Sequence, residues 1–199
     1  HESLRRCSLV TLVVGALAVA GAATGGAGVA ASPGRKVLVD EEALAAQADL
    51  ARLGASRLAD YGSFSLWQVP EAAVGALPAQ ATVRDDFDRI PLRGAVIDTR
   101  SGAGPVPADL RQTRVAGGQL WLVQFVGPVK DAWLAEVRDI GLEPVIYMPH
   151  NAYVVFGGGS SLARLDQLAA ASPSIQWTGA YHPFYRLAPE VLDAARTLP

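Results

Sequence analysis

Beyond Ser32 the sequence sets out one plan twice, and an internal duplication constrains a fold more tightly than any single motif. The first copy opens on a short apolar strand, Val37-Leu38-Val39. Ala43, Ala46, Leu50 and Leu53 then recur at helical spacing, and Gly54, free to take a left-handed conformation, supplies the stop. A strand over residues 57–61 turns at Gly62-Ser63 into Phe64-Ser65-Leu66-Trp67. A short helix over residues 71–77 follows Pro70, and a last strand starts near Thr82-Val83. The second copy begins with Leu120-Trp121-Leu122-Val123-Gln124-Phe125-Val126. Its first helix follows Pro128, carries Trp133, Val137 and Ile140 on the buried stripe, and stops at Gly141. Residues 145–148 turn through Pro149-His150-Asn151 into Tyr153-Val154-Val155-Phe156. Gly157-Gly158-Gly159 leads to Ser160 or Ser161, either a suitable N-cap. The second helix presents Leu162, Leu165 and Leu168 and ends before Pro173, and Ile175-Gln176-Trp177-Thr178 is the last strand.

The copies match in order more than in identity. Arg52-Leu53-Gly54 aligns with Asp139-Ile140-Gly141, residues 64–67 with 153–156, and Leu77 with Leu168. Each reads β-α-β-β-α-β in about 60 to 70 residues, the split βαβ or ferredoxin-like plan. The expected fold class is α+β, with tandem ferredoxin-like modules after an N-terminal signal segment, each module a four-stranded antiparallel sheet carrying two helices on one face. The boundaries expected are 1–31 for the signal segment, 36–100 and 119–187 for the modules, 101–118 for a Gly- and Pro-rich linker, and 188–199 for the start of a following segment.

The strands of the second copy are apolar on both alternating sets, Trp121, Val123 and Phe125 on one and Leu120 and Leu122 on the other. A sheet with helices on a single face normally turns polar side chains outward. Apolar side chains on both faces therefore imply a second cover, for which the first copy, a following domain and a partner protein are the candidates. Twisting of a small sheet around its own edge loops is the plainer alternative. Trp121, Val123, Phe125, Tyr153 and Trp177 are the candidate partner-facing residues.

Residues before Ser32 have a different character. Arg5-Arg6 precede an uncharged apolar run over residues 9–20, which gives way to small residues ending Val29-Ala30-Ala31. This is the layout of a cleavable export signal, with cleavage expected after Ala31; the apolar run is short for the roughly 20 residues of a membrane span. Secretion is the expected destination, with membrane contact only transient. Cys7, the single cysteine, lies in this segment, so the mature chain has no thiol for a disulfide or a Cys-based metal site. Together, the start at His1 and the unpunctuated stretch from Leu192 to Pro199 suggest a piece of a longer protein.

Little in the chain suggests catalysis. Half the residues are apolar and 18% are charged, enough for a real core. The net charge of −2 and the presence of only two lysines, Lys36 and Lys130, leave no basic stripe for nucleic acid. His150 and His182 have no second histidine at ligand spacing, so no metal and no cofactor are expected. Asp85, Asp86 and Asp88 lack the glycine and distal glutamate of a calcium loop and read as a solvated acidic edge. Gly157 to Gly159 lack the lysine and threonine of a phosphate loop. Val96-Ile97-Asp98-Thr99 resembles the way subtilisin-like peptidases present their catalytic aspartate, but Arg100 stands where glycine is wanted. With no His-Gly-Thr-His and no Gly-Thr-Ser-x-Ala, no triad can be assembled, and no catalytic residue is expected.

Three phrases carry a family resemblance: Leu122-Val123-Gln124-Phe125-Val126-Gly127-Pro128-Val129, Tyr147-Met148-Pro149-His150-Asn151-Ala152-Tyr153-Val154-Val155, and Trp177-Thr178-Gly179-Ala180-Tyr181-His182-Pro183-Phe184-Tyr185-Arg186-Leu187. Together with residues 81–87 and 92–99, they resemble the prodomain-like N-terminal region of large secreted bacterial subtilisin-like serine peptidases. The resemblance implies a non-catalytic ferredoxin-like helper whose open sheet face packs on a peptidase domain in cis, assisting its folding and inhibiting it. An extracellular interaction module of a surface protein without protease activity is the competing expectation.

Overall fold

The computed structural model describes residues 34–197, so the expected signal segment lies outside the described residues. The chain is mixed α/β, with antiparallel sheets and several helices. Its first sheet is built from β1 (Gly34–Asp40), β2 (Ser56–Asp60), β3 (Phe64–Pro70) and the two-residue β4 (Thr82–Val83), in the order β2-β3-β1-β4. Helix α1 (Leu44–Arg52) connects β1 to β2 and buries Ala46 and Leu50 against Val37, Val39, Trp67 and Val69. Gly54 closes α1 at φ +76°, where a side chain would be strained. The second helix expected here is only a 3₁₀ turn, Glu71–Ala76, with no buried residue. Six residues flanked by Pro70 and Pro78, with Gly75 inside, are too few to sustain an α-helix.

Residues 85–98 depart from the expected plan. A 3₁₀ turn, Asp85–Asp88, leads into β5 (Arg89–Pro91), which pairs with β6 (Val96–Asp98) in a two-stranded ribbon. The second sheet contains β7 (Gln119–Phe125), β8 (Glu143–Met148), β9 (Ala152–Gly157) and β10 (Ile175–Ala180), in the order β10-β7-β9-β8. Helices α2 (Asp131–Asp139) and α3 (Gly159–Ala171) lie on one face, burying Leu134, Val137, Leu162 and Leu165 against the sheet. A final helix, α4 (Pro189–Thr197), follows a 3₁₀ turn at Pro183–Arg186. Among the described residues no helix is long and apolar enough to cross a membrane.

The capping of α3 differs from expectation. Gly158 is the N-cap, and Ser161 is buried inside the helix. The glycines serve close packing. A Cβ on Gly157 would lie 2.4 Å from Leu142 Cδ2, and one on Gly159 3.0 Å from the Val115 carbonyl oxygen. The Gly159 N–H already donates to Ala116 O at 3.1 Å, so this donor is committed to the protein itself.

Both bare sheet faces are covered from within the chain. On the second sheet, Leu122, Ala152, Val154 and Trp177 pack under Ile90 and Ile97 of the ribbon, Val106, and Tyr185. On the first, Leu66 and Ala59 pack with Phe87 and Val126, joined by Leu38, Leu58 and Trp133. Ile90 and Ile97 are 0% and 1% exposed, a burial typically stabilising by about 1.5–3 kcal/mol for each such side chain. The first sheet ends at β4, and residues 89–98, whose apolar pair needs an apolar floor, belong to the roof of the second sheet.

Candidate functional site

Of the five candidate partner-facing residues, Trp121, Val123 and Phe125 are buried beneath the helices with Leu134, Leu162 and Leu165. Tyr153 packs against the same cluster, half-buried, its ring edge-on to Tyr147 at a centroid distance of 5.3 Å. Trp177 lies on the opposite face, beneath the ribbon. The four buried residues are thus core residues, which corrects the assignment of those four. Alternation sends the odd-numbered residues of β7 toward α2 and α3, and the ribbon takes up the other set. A run of three consecutive apolar residues reaches solvent on β8, the outer strand of its sheet. Val145, Ile146 and Tyr147 are 50%, 52% and 53% exposed. The legible signal for this edge is the lack of any charged side chain between Glu143 and His150, since exposed edges are ordinarily guarded by charge.

Sequence reasoning also missed a buried polar junction between the two sheets. Lys36 of β1 donates to Asp88 Oδ1 at 2.9 Å, to the Phe87 carbonyl at 3.3 Å, and to Oε1 of Gln176 in β10. The Gln176 amide donates to Phe87 O at 2.9 Å and to Oε1 of Gln124 in β7. The Thr99 hydroxyl donates to the same Gln124 oxygen at 2.8 Å, and Gln124 Nε2 donates to His150 O at 2.9 Å. Lys36, Asp88, Thr99 and Gln124 are all buried. Burial holds the Lys36 amine below the usual lysine range, opposed by the Asp88 charge. An ammonium with three acceptors and a hydroxyl aimed at a carboxamide make a joint, with no base placed to activate a nucleophile.

The remaining candidates do not converge. Asp85 pairs with Arg35 at 2.6 Å, Asp86 with Arg84 at 2.7 Å, and Asp88 with Lys36. The solvated acidic edge is thus corrected at Asp88, which is buried because Lys36 neutralises it. The Arg84 guanidinium, through its hydrogen bonds, keeps the Asp86 carboxyl below its ordinary range. Asp98 accepts from the Arg100 N–H at 3.0 Å, a local turn contact. His150, at φ +64°, faces Asp86 at 3.2 Å, and His182 accepts the Gln112 N–H on Nδ1 at 2.9 Å. Among the described residues no three His, Cys, Asp or Glu side chains are grouped to hold a metal ion.

An open groove of about 520 Å³ lies at the other end of the second sheet. Leu120 and Phe156, opposite each other in the β7–β9 register, and Val115 give it apolar walls; Arg111 and Arg186 give it charge. The tip of the Phe156 ring occupies the space beside Gly118, where a Cβ would come within 2.4 Å of Cζ. Arg111 donates to Val106 O at 2.8 Å, and Arg186 donates to Tyr181 O at 3.2 Å while stacking on the Tyr181 ring at 4.9 Å. Burial, and then the charge of Arg111, lower the pKa of neighbouring His182.

A family model described as a domain of unknown function (DUF8729) matches residues 91–182. The matched stretch takes in β6 and the whole second sheet. No curated protein and no solved structure matches the chain.

Proposed function

We propose that the chain is the non-catalytic, propeptide-like N-terminal region of a secreted subtilisin-like serine peptidase, two ferredoxin-like modules that assist folding of the peptidase domain and inhibit it in cis. The strand orders β2-β3-β1-β4 and β10-β7-β9-β8 support the tandem reading, because each follows the split βαβ path with neighbouring strands antiparallel. The observation that carries the docking role is β8, an edge strand with no charged residue after Glu143, three consecutive half-exposed apolar residues and an outer side that no described strand pairs. With both sheet faces covered, this edge replaces the open face as the docking surface.

The test is refolding of the peptidase domain encoded in the same reading frame, with and without this chain. Active enzyme should appear faster in its presence and then be inhibited by it, and Ile146→Lys or Tyr147→Lys should weaken inhibition about tenfold or more while leaving the melting temperature unchanged. Absence of peptidase motifs downstream, or refolding indifferent to the chain, overturns the reading. The covered faces favour a second reading, an extracellular interaction module of a surface protein, which predicts repeat or sandwich domains downstream and binding through β8 without effect on any peptidase.

A further inference from the structure

From the charge and shape of the groove beside Phe156, independently of the peptidase reading, we infer that it is a docking site for the C-terminus of a polypeptide, taking the free α-carboxylate on Arg111 and Arg186 and the last apolar side chain on Leu120 and Phe156. Each guanidinium is anchored by a bond to a main-chain carbonyl, at 2.8 Å for Arg111 and 3.2 Å for Arg186. Neither has a carboxylate within salt-bridge distance among the described residues, whereas Arg84 and Arg114 each hold one and Arg35 holds two. Their charge is therefore spent on no acid of the described chain, and charge complementarity selects an anion. The apolar wall requires that the anion carry a greasy group. Phe156, 43% exposed, turns its ring to the groove in the space that Gly118 leaves by lacking a side chain, so the wall is apolar and open to a ligand. A space of about 520 Å³ holds only a few residues, and a C-terminal residue is the most compact way to bring a carboxylate and an apolar side chain into it together. The reduced basicity of His182 beside Arg111 fits a locally positive rim.

The experiment is fluorescence anisotropy on the full chain with a fluorescein-labelled pentapeptide, GSGLF, offered as the free acid and as the C-terminal amide, and with GSELF amide as a side-chain carboxylate. Saturable binding of the free acid, about tenfold weaker for either amide, is expected, with a similar loss for Arg111→Gln and Arg186→Gln and lower affinity at higher salt. The acid-to-amide comparison uses the unaltered protein and stands even where a variant folds poorly. Equal binding of all three peptides, preference for the glutamate peptide, or no saturable binding of the free acid overturns the inference.

Discussion

At the scale of single residues, the junction of Lys36 and Asp88 is the most consequential pair in the molecule, because a charge buried without its partner is expensive. Lys36→Met strands the Asp88 carboxylate and should destabilise the fold by about 3–5 kcal/mol in urea denaturation, while Lys36→Met with Asp88→Leu should recover much of that loss. His182 gives a pH signature. Its folded pKa lies below the ordinary 6.5, from burial first and then from Arg111. Between the folded value and 6.5 the unfolded chain binds the proton and the folded chain does not, so stability is full above 6.5 and declines as pH falls through that interval. His182→Gln keeps an acceptor in reach of the Gln112 N–H and should flatten that limb of a stability–pH curve. Neither site was legible in the sequence. Asp88 read as part of a solvated acidic edge and Lys36 only as one of two lysines, and the approach of β1 to β10 gives them a buried setting.

At the scale of elements, most of the reading from periodicity stands. Strands at residues 37–39, 64–67, 120–126 and 153–156, and helices stopped by Gly54 and Gly141, occupy the expected places because apolar spacing and left-handed glycines act locally. The failures are local as well. The turn at Glu71–Ala76 stays 3₁₀ between its prolines, and α3 starts without a serine cap because close packing, not capping, fixes its entry. Gly157→Ala should therefore destabilise by about 1–3 kcal/mol in thermal or urea unfolding, the new methyl meeting Leu142, whereas Gly75→Ala, with open space around it, should be neutral or slightly stabilising.

For the molecule as a whole, the ribbon is the decisive element. Ile97→Ala should cost about 2–5 kcal/mol and expose Leu122, Val154 and Trp177, read as a red shift of tryptophan emission before global unfolding. What the sequence determined by itself was the alternation of strand and helix and the need for a cover on both faces of the second sheet, since side-chain period and apolar content are properties of neighbours along the chain. Which segment supplies that cover, and which strand is left bare, was decided only in three dimensions. A pair of isoleucines 7 residues apart looks like any linker until the ribbon folds back, and β8 is an edge only because β9 pairs on its other side.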